Sequence, residues 1–232
     1  MSRLILKLSG EALAGKKHTG FDLAVVQRVA AQVRRLVDDG NDVGIVIGGG
    51  NFWRGRTGTE IDRVKSDQIG MLATVMNCIY VSEVFRGAGM MTNVLTPFEC
   101  GDMTKLFSKD RANKYFARHM VVFFAGGTGH PYFSTDTGVL LRAVEVEADA
   151  VLMAKNIDGV YDSDPHKNPD AKRYDVLPIQ EIIDHNLQVI DMTASILARD
   201  NHMPLRIFDL NEEDSIIRAA AGDFNGTTVT VD

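Results

Sequence analysis

Cysteine is scarce in this chain: only Cys78 and Cys100 occur among 232 residues. They form no Cys-x-x-Cys and stand at no paired-ligand spacing from histidine. A zinc site or a disulfide framework is therefore not expected, and both read as reduced thiols. Positive charge is also short. Lys and Arg number 25 against 31 Asp and Glu, a net charge of −6. Proteins that coat nucleic acid usually carry a basic patch, so no nucleic-acid partner is expected, although a small phosphorylated ligand needs only a local positive site. Long apolar runs are missing as well. The longest uncharged stretches, Gln68–Ser82 and Met120–Thr135, contain Gln, Asn, Gly or Pro and do not read as ~20 apolar residues crossing a bilayer. The N-terminal apolar run is broken at Lys7 and Glu11, too early for a signal-peptide core. The expectation is a soluble, cytoplasmic protein with no membrane partner.

Several catalytic signatures are absent too. No Gly-x-Gly-x-x-Gly follows Gly48 or Gly127, and neither Gly-x-Ser-x-Gly nor His-Glu-x-x-His occurs. Gly10–Lys17 nearly fits a phosphate-binding loop, but Lys17 stands where a hydroxyl must hold magnesium.

What is present is an alternation. Hydrophobic residues make up 45% and charged residues 24%, an ordinary globular balance. Apolar runs at Leu4–Leu8, Val43–Ile47, Met91–Leu95, Val121–Phe124 and Ala150–Ala154 read as buried strands. Between them, helical spacing appears after Asp22 as far as Gly40, and over Ser66–Arg86, Thr104–His119 and Thr135–Ala148. In the helix over Ser66–Arg86 the apolar positions include Ile69, Leu72, Met76, Ile79 and Val84. Alternating strands and helices predict a mostly parallel, three-layer open α/β sheet with helices on both faces. After Ala154 the pattern changes to a long polar loop, Lys155–Tyr174. Helices near Pro178–Asn186 and Ala194–His202, strand Leu205–Phe208, helix Glu212–Ala221 and strand Thr227–Val231 follow. One domain over residues 1–232 is expected, with lobes at about 1–154 and 155–232 and a cleft between them.

Three glycine-bearing turns each follow an apolar strand: Lys7-Leu8-Ser9-Gly10, Gly48-Gly49-Gly50-Asn51 and Gly126-Gly127-Thr128-Gly129. In a parallel sheet the carboxyl ends of strands line the ligand crevice. Glycine there lets backbone N–H groups approach an anion. Each turn alone could be simple chain reversal; together they point to a phosphate site. Lys7, set in an apolar strand, fits neutralisation of a phosphoryl group or a solvated edge position. Arg54 fits an anion clamp or an ordinary surface residue. Asp136 and Asp191 fit either helix-terminal carboxylates or groups that orient a lysine or magnesium.

The segments Lys7–Ala12, Val46–Asn51, Gly70–Asn77, Gly127–Asp136, Asp158–Pro165 and Leu197–Asp200 resemble the bacterial uridylate (UMP) kinases of the amino-acid-kinase family, from about Arg3 to Val231. The resemblance implies the amino-acid-kinase fold and ATP-dependent conversion of UMP to UDP in pyrimidine nucleotide biosynthesis. It also implies Mg²⁺, a homohexamer, and GTP or UTP as effectors. It places Lys7, Asp136 and Asp191 around the transferred group, and Lys7, Leu8, Ser9, Gly10, Gly50 and Arg54 on the ATP phosphates. Asn156, Tyr161 and Asp164 fall at the adenosine end. Gly49, Asp67, Thr128, Gly129, His130, Pro131, Tyr132, Phe133, Ser134 and Thr135 would hold UMP. No metal ligand set is assigned. Lys155-Asn156 stands where some relatives carry Thr-Lys. A kinase of the same fold acting on a carboxylate or carbamate, and a non-catalytic nucleotide-binding protein, are the other readings.

Overall fold

The structure, a computed structural model, describes residues 1–53, 61–163, 165, 167–187 and 189–231. Strand β1 (Arg3–Leu8) leads into the short helix α1 (Gly10–Ala14), a 3-10 turn over Gly15–Lys17, helix α2 (Leu23–Asp38) and strand β2 (Asp42–Ile47). Next come α3 (Arg63–Gly87), β3 (Thr92–Thr96), β4 (Lys105–Leu106), α4 (Lys109–Phe116), β5 (Val121–Phe124), α5 (Thr135–Glu145) and β6 (Ala150–Lys155). The remainder supplies β7 (Val160–Tyr161), β8 (Arg173–Tyr174), β9 (Val176–Pro178), α6 (Ile179–Asp184), α7 (Met192–Asp200), β10 (Leu205–Asp209), α8 (Ser215–Ala221) and β11 (Gly226–Thr230). Nine strands form one sheet in the order β4-β3-β5-β2-β1-β6-β10-β11-β9. Neighbours run parallel except β10 and β11.

Both faces of the sheet are covered, which is why its central strands are nearly all apolar. Strand β1 alternates between the two layers. Leu4, Leu6 and Leu8 join Val29, Val81 and Ile216 of α2, α3 and α8 on one side. Ile5 joins Val139, Leu140 and Ala194 of α5 and α7 on the other. By the same alternation Lys7 lies on the α5 side. Strand β6 repeats the arrangement, with Val151 and Met153 on the α5 side. Its last residue, Lys155, therefore shares the face of Lys7.

Several boundaries differ from the sequence reading. The helix expected over Thr104–His119 is split. Phe107 N donates to Thr96 O at 2.8 Å, extending the sheet edge, and the Ser108 hydroxyl then caps α4 by accepting from Arg111 N. The long loop after β6 contains a small antiparallel pair, β7 with β8, and β9 adds an edge strand beside β11. Helix α3 starts three residues early because Asp62 caps it, accepting from Lys65 N at 3.1 Å.

Helix α3 also turns its apolar stripe outward. Ile69, Leu72, Met76 and Ile79 are 37–53% exposed, while Ser66, Thr74, Asn77, Cys78 and Val81 face inward. By length and composition this helix could cross a membrane, and 44% of its apolar window is buried inside the protein. That burial matches a helix packed on a sheet. Burial also pushes the Cys78 thiol up to about 12, so it stays protonated and unreactive.

The inward face of α3 meets the turn after β2 through a closed amide pair. Asn51 and Asn77 donate to each other at 3.0 and 2.7 Å. Asn77 also donates to Gly48 O, and Asn51 to Gly20 O. Both side chains are buried, so losing one strands the other's polar atoms. Asn77→Leu is expected to lower unfolding stability by about 2 kcal/mol, read by urea denaturation; a loss below about 0.5 kcal/mol would remove this pair from the account.

Candidate active site

Strands β5, β2 and β1 are neighbours, so the three glycine turns open on one edge of the sheet. They pack closely there: a Cβ on Gly10 would lie 2.4 Å from the Gly48 carbonyl oxygen. Gly10 begins α1, so residues 10–17 form helical turns and not a phosphate-binding loop. In the third turn Gly126, Gly127 and Gly129 all have positive φ, a region glycine takes without steric cost. Helix α3 ties this turn down, since Gly126 N donates to Thr74 Oγ1 at 2.8 Å.

A cleft of about 320 Å³ opens between these turns and α3, lined by Gly49, Gly50, Asp67, Thr128, Phe133 and Thr135. His130 and Ser134 also line it, as do Glu11, Trp53, Met71 and Thr74, which sequence reasoning missed. The signal available for the last two was their place in the Gly70–Asn77 segment. Gly129, Pro131 and Tyr132 do not line the cleft. A Cβ on Gly129 would lie 2.9 Å from Pro97, and the Tyr132 side chain is exposed.

Asp67 sits in the second turn of α3, not the first, so the helix dipole holds it weakly. Its Oδ2 accepts from Arg63 Nε and from Tyr132 N, both at 2.8 Å. The carboxylate thus clasps the 128–135 segment onto α3 at the mouth of the cleft.

A second cleft, of about 490 Å³, is lined by Lys155, Gly159, Tyr161, Asn186, Leu187 and Val189. Tyr161 lies there as expected, and its hydroxyl donates to Asp158 Oδ1 at 2.8 Å. Asn156 does not line it; the side chain is exposed. Leu8 can meet a phosphate only through its backbone. Its side chain is fully buried in the core, and its carbonyl accepts from Gly48 N. Ser9 precedes α1 without capping it through its side chain. Arg54, Asp164 and the stretch 55–60 lie outside the described residues.

Between the clefts is a compact charge cluster. Lys7 Nζ lies 2.9 Å from Asp136 Oδ1, and Lys155 Nζ lies 3.6 Å from Asp136 Oδ2. Lys155 also donates to the Val189 carbonyl. All three side chains are under one-fifth exposed. Burial alone would raise the Asp136 pKa, but the two ammonium groups outweigh it and hold the carboxyl below its ordinary 3.8. Burial depresses Lys155 below its ordinary 10.5, opposed by Asp136 and aided by Lys7. Asp191 takes the helix-terminal place that was one of its two readings. It caps α7, accepting from Ala194 N at 3.0 Å, and also accepts from the hydroxyls of Ser134 and Thr137. It pins the start of α7 to the start of α5. Among the described residues, no three His, Cys, Asp or Glu side chains converge on a metal position.

This fold and edge site define a class of protein. Residues 2–209 match the Amino acid kinase family, and the chain belongs to it. It is 46% identical over 230 residues to a uridylate kinase of Pediococcus pentosaceus, covering 98% of this chain and 95% of that one. It is also similar to a crystal structure of a UMP kinase from Bacillus anthracis, with TM-score 0.95 and 35% identity, covering 100% of this chain and 96% of the other. A UMP kinase structure from Ureaplasma parvum matches at TM-score 0.93 and 33% identity, covering 99% and 98%.

Asp136→Asn leaves both lysines uncompensated. It is expected to cost about 2 kcal/mol at neutral pH, below the figure for a fully buried pair because some solvent reaches the cluster. A carboxyl with a lowered folded pKa stabilises above its unfolded value and loses that contribution as pH falls through the folded one. The gap between wild type and variant should therefore close as pH drops below 3.8. Melting curves across pH test this; a gap constant into acid contradicts it.

Proposed function

We propose that the chain transfers the γ-phosphoryl group of ATP to UMP, giving UDP and ADP. The observation that carries the reading is the Lys7–Asp136–Lys155 cluster, in which Lys155 lines the second cleft and Asp136 directly follows Thr135 of the first. UMP takes the first cleft, against the 128–135 segment and Asp67. The adenosine end of ATP takes the second, beside Tyr161. The names of the relatives support this assignment of acceptor and donor.

The chemistry follows from the geometry. A UMP phosphate oxygen is already ionised at neutral pH, so no general base is needed. The difficulty is bringing two anions together. Backbone N–H groups of the glycine turns and the Lys7 ammonium supply positive charge at the strand ends. Asp136 keeps Lys7 aimed. Asp191 acts through position, fixing the helix starts of α5 and α7. Mg²⁺ in such sites is held mainly by the nucleotide's phosphates with one or two carboxylates. The donor set fits that mode only, with Asp136 the carboxylate beside the two lysines. Bound there, the ion would screen charge on the triphosphate.

The apolar stripe of α3 supports self-association, since contiguous exposed apolar surface marks interfaces; a homohexamer in the cytoplasm, one domain per chain, is the assembly we favour. Regulation by GTP or UTP belongs to the same reading.

A coupled assay with ATP and a panel of nucleoside monophosphates tests the acceptor. UMP should be strongly preferred over CMP, AMP and GMP; equal kcat/KM for UMP and CMP would reject the assignment. Lys7→Ala should fold, because Lys155 still pairs with Asp136, and should lose about 100-fold in kcat. Near-normal turnover would remove Lys7 from the site. Asp67→Asn should raise the KM for UMP roughly 5- to 30-fold with the KM for ATP little changed. An unchanged UMP KM would leave Asp67 a clasp and nothing more.

A further inference from the structure

We infer that Lys155 is a second catalytic lysine, whose ammonium contacts the oxygen that leaves with ADP. The inference rests on the phosphoryl-transfer reading above and extends it to a residue that reading did not include. Three independent features converge on Lys155. Strand alternation in β6 puts it, with Val151 and Met153, on the face that Lys7 occupies in the adjacent parallel strand. One carboxylate, Asp136, then binds both ammonium groups from opposite oxygens. Lys155 also lines the second cleft, with Tyr161, while its partner Asp136 follows Thr135, which lines the first.

The arrangement is costly as a purely structural one. A buried carboxylate needs one cation, and a second ammonium in the same buried place adds desolvation and repulsion from Lys7, opposed by Asp136 and by the charge of Asp191. A polyanion entering from the second cleft reverses that balance. As the bond from Pγ to the bridging oxygen breaks and a bond from Pγ to the UMP phosphate oxygen forms, the electron pair of the broken bond stays on the departing β-phosphate of ADP. Lys155 neutralises that developing charge and Lys7 the transferring group. No proton has to move and no further reactant is required.

The test compares Lys155→Met and Lys155→Arg with wild type, after melting curves confirm that each is folded. The inference expects kcat for UDP formation to fall about 100-fold in Lys155→Met, with the UMP KM within about threefold, and Arg to restore at least about tenfold. A strut between Val189 and Asp136 would lower the melting temperature and leave kcat alone. A kcat for Lys155→Met within about twofold of wild type overturns the inference while leaving the UMP assignment standing. If wild type makes no UDP, the acceptor reading fails by itself, and titration calorimetry then decides Lys155. The Met variant should bind ATP about tenfold more weakly while adenosine binding is unchanged; equal ATP affinity overturns the inference.

Discussion

One carboxylate shared by two lysines is the constraint on which the rest of the site depends. Asp136 lies in the first turn of α5, Lys7 is the last residue but one of β1 and Lys155 ends β6, so the contact ties two central strands to the helix above them. Placing three charges in a half-buried spot is justified only if they compensate each other, and here the positive side exceeds Asp136 by one. The two ammonium groups stand where a phosphate would need them. Asp191, bound by a helix N-terminus and two hydroxyls, holds the frame, and its charge also acts on Lys155.

Helix α3 organises the other half. From one helix, Ser66 accepts from Trp53 Nε1, Asp67 clasps Tyr132 N, Thr74 accepts from Gly126 N and Asn77 accepts from and donates to Asn51. These polar contacts fix the second and third glycine turns relative to each other. They also explain why the helix faces inward with small and polar residues. Its apolar stripe, turned outward, then becomes the surface through which assembly could act on the same turns.

The sheet was legible in the sequence because parallel strands covered on both faces read as unbroken apolar runs. The three turns were legible because glycine is demanded where strand ends approach each other, as at Gly10. The edges were harder to read. β4 and β9 are two and three residues long, too short for any periodicity, and β4 was absorbed into a helix that Ser108 actually starts. The stripe Ile69–Ile79 was legible as apolar positions of a helix, but periodicity reports a face, not which way it points. Lys155 was passed over beside the Asp-Gly-Val-Tyr motif, although counting by twos from Val151 reaches it. Asp191's bonds to Ser134 and Thr137 join segments more than 50 residues apart, and nothing local announces them.

The most direct measurement is a crystal structure of the complex with UMP and a non-hydrolysable ATP analogue. The account predicts the analogue's terminal phosphates at the β1–β6 edge, with Lys7 and Lys155 Nζ each about 3 Å from a phosphate oxygen and UMP against the 128–135 segment. Phosphates bound away from both lysines would contradict it.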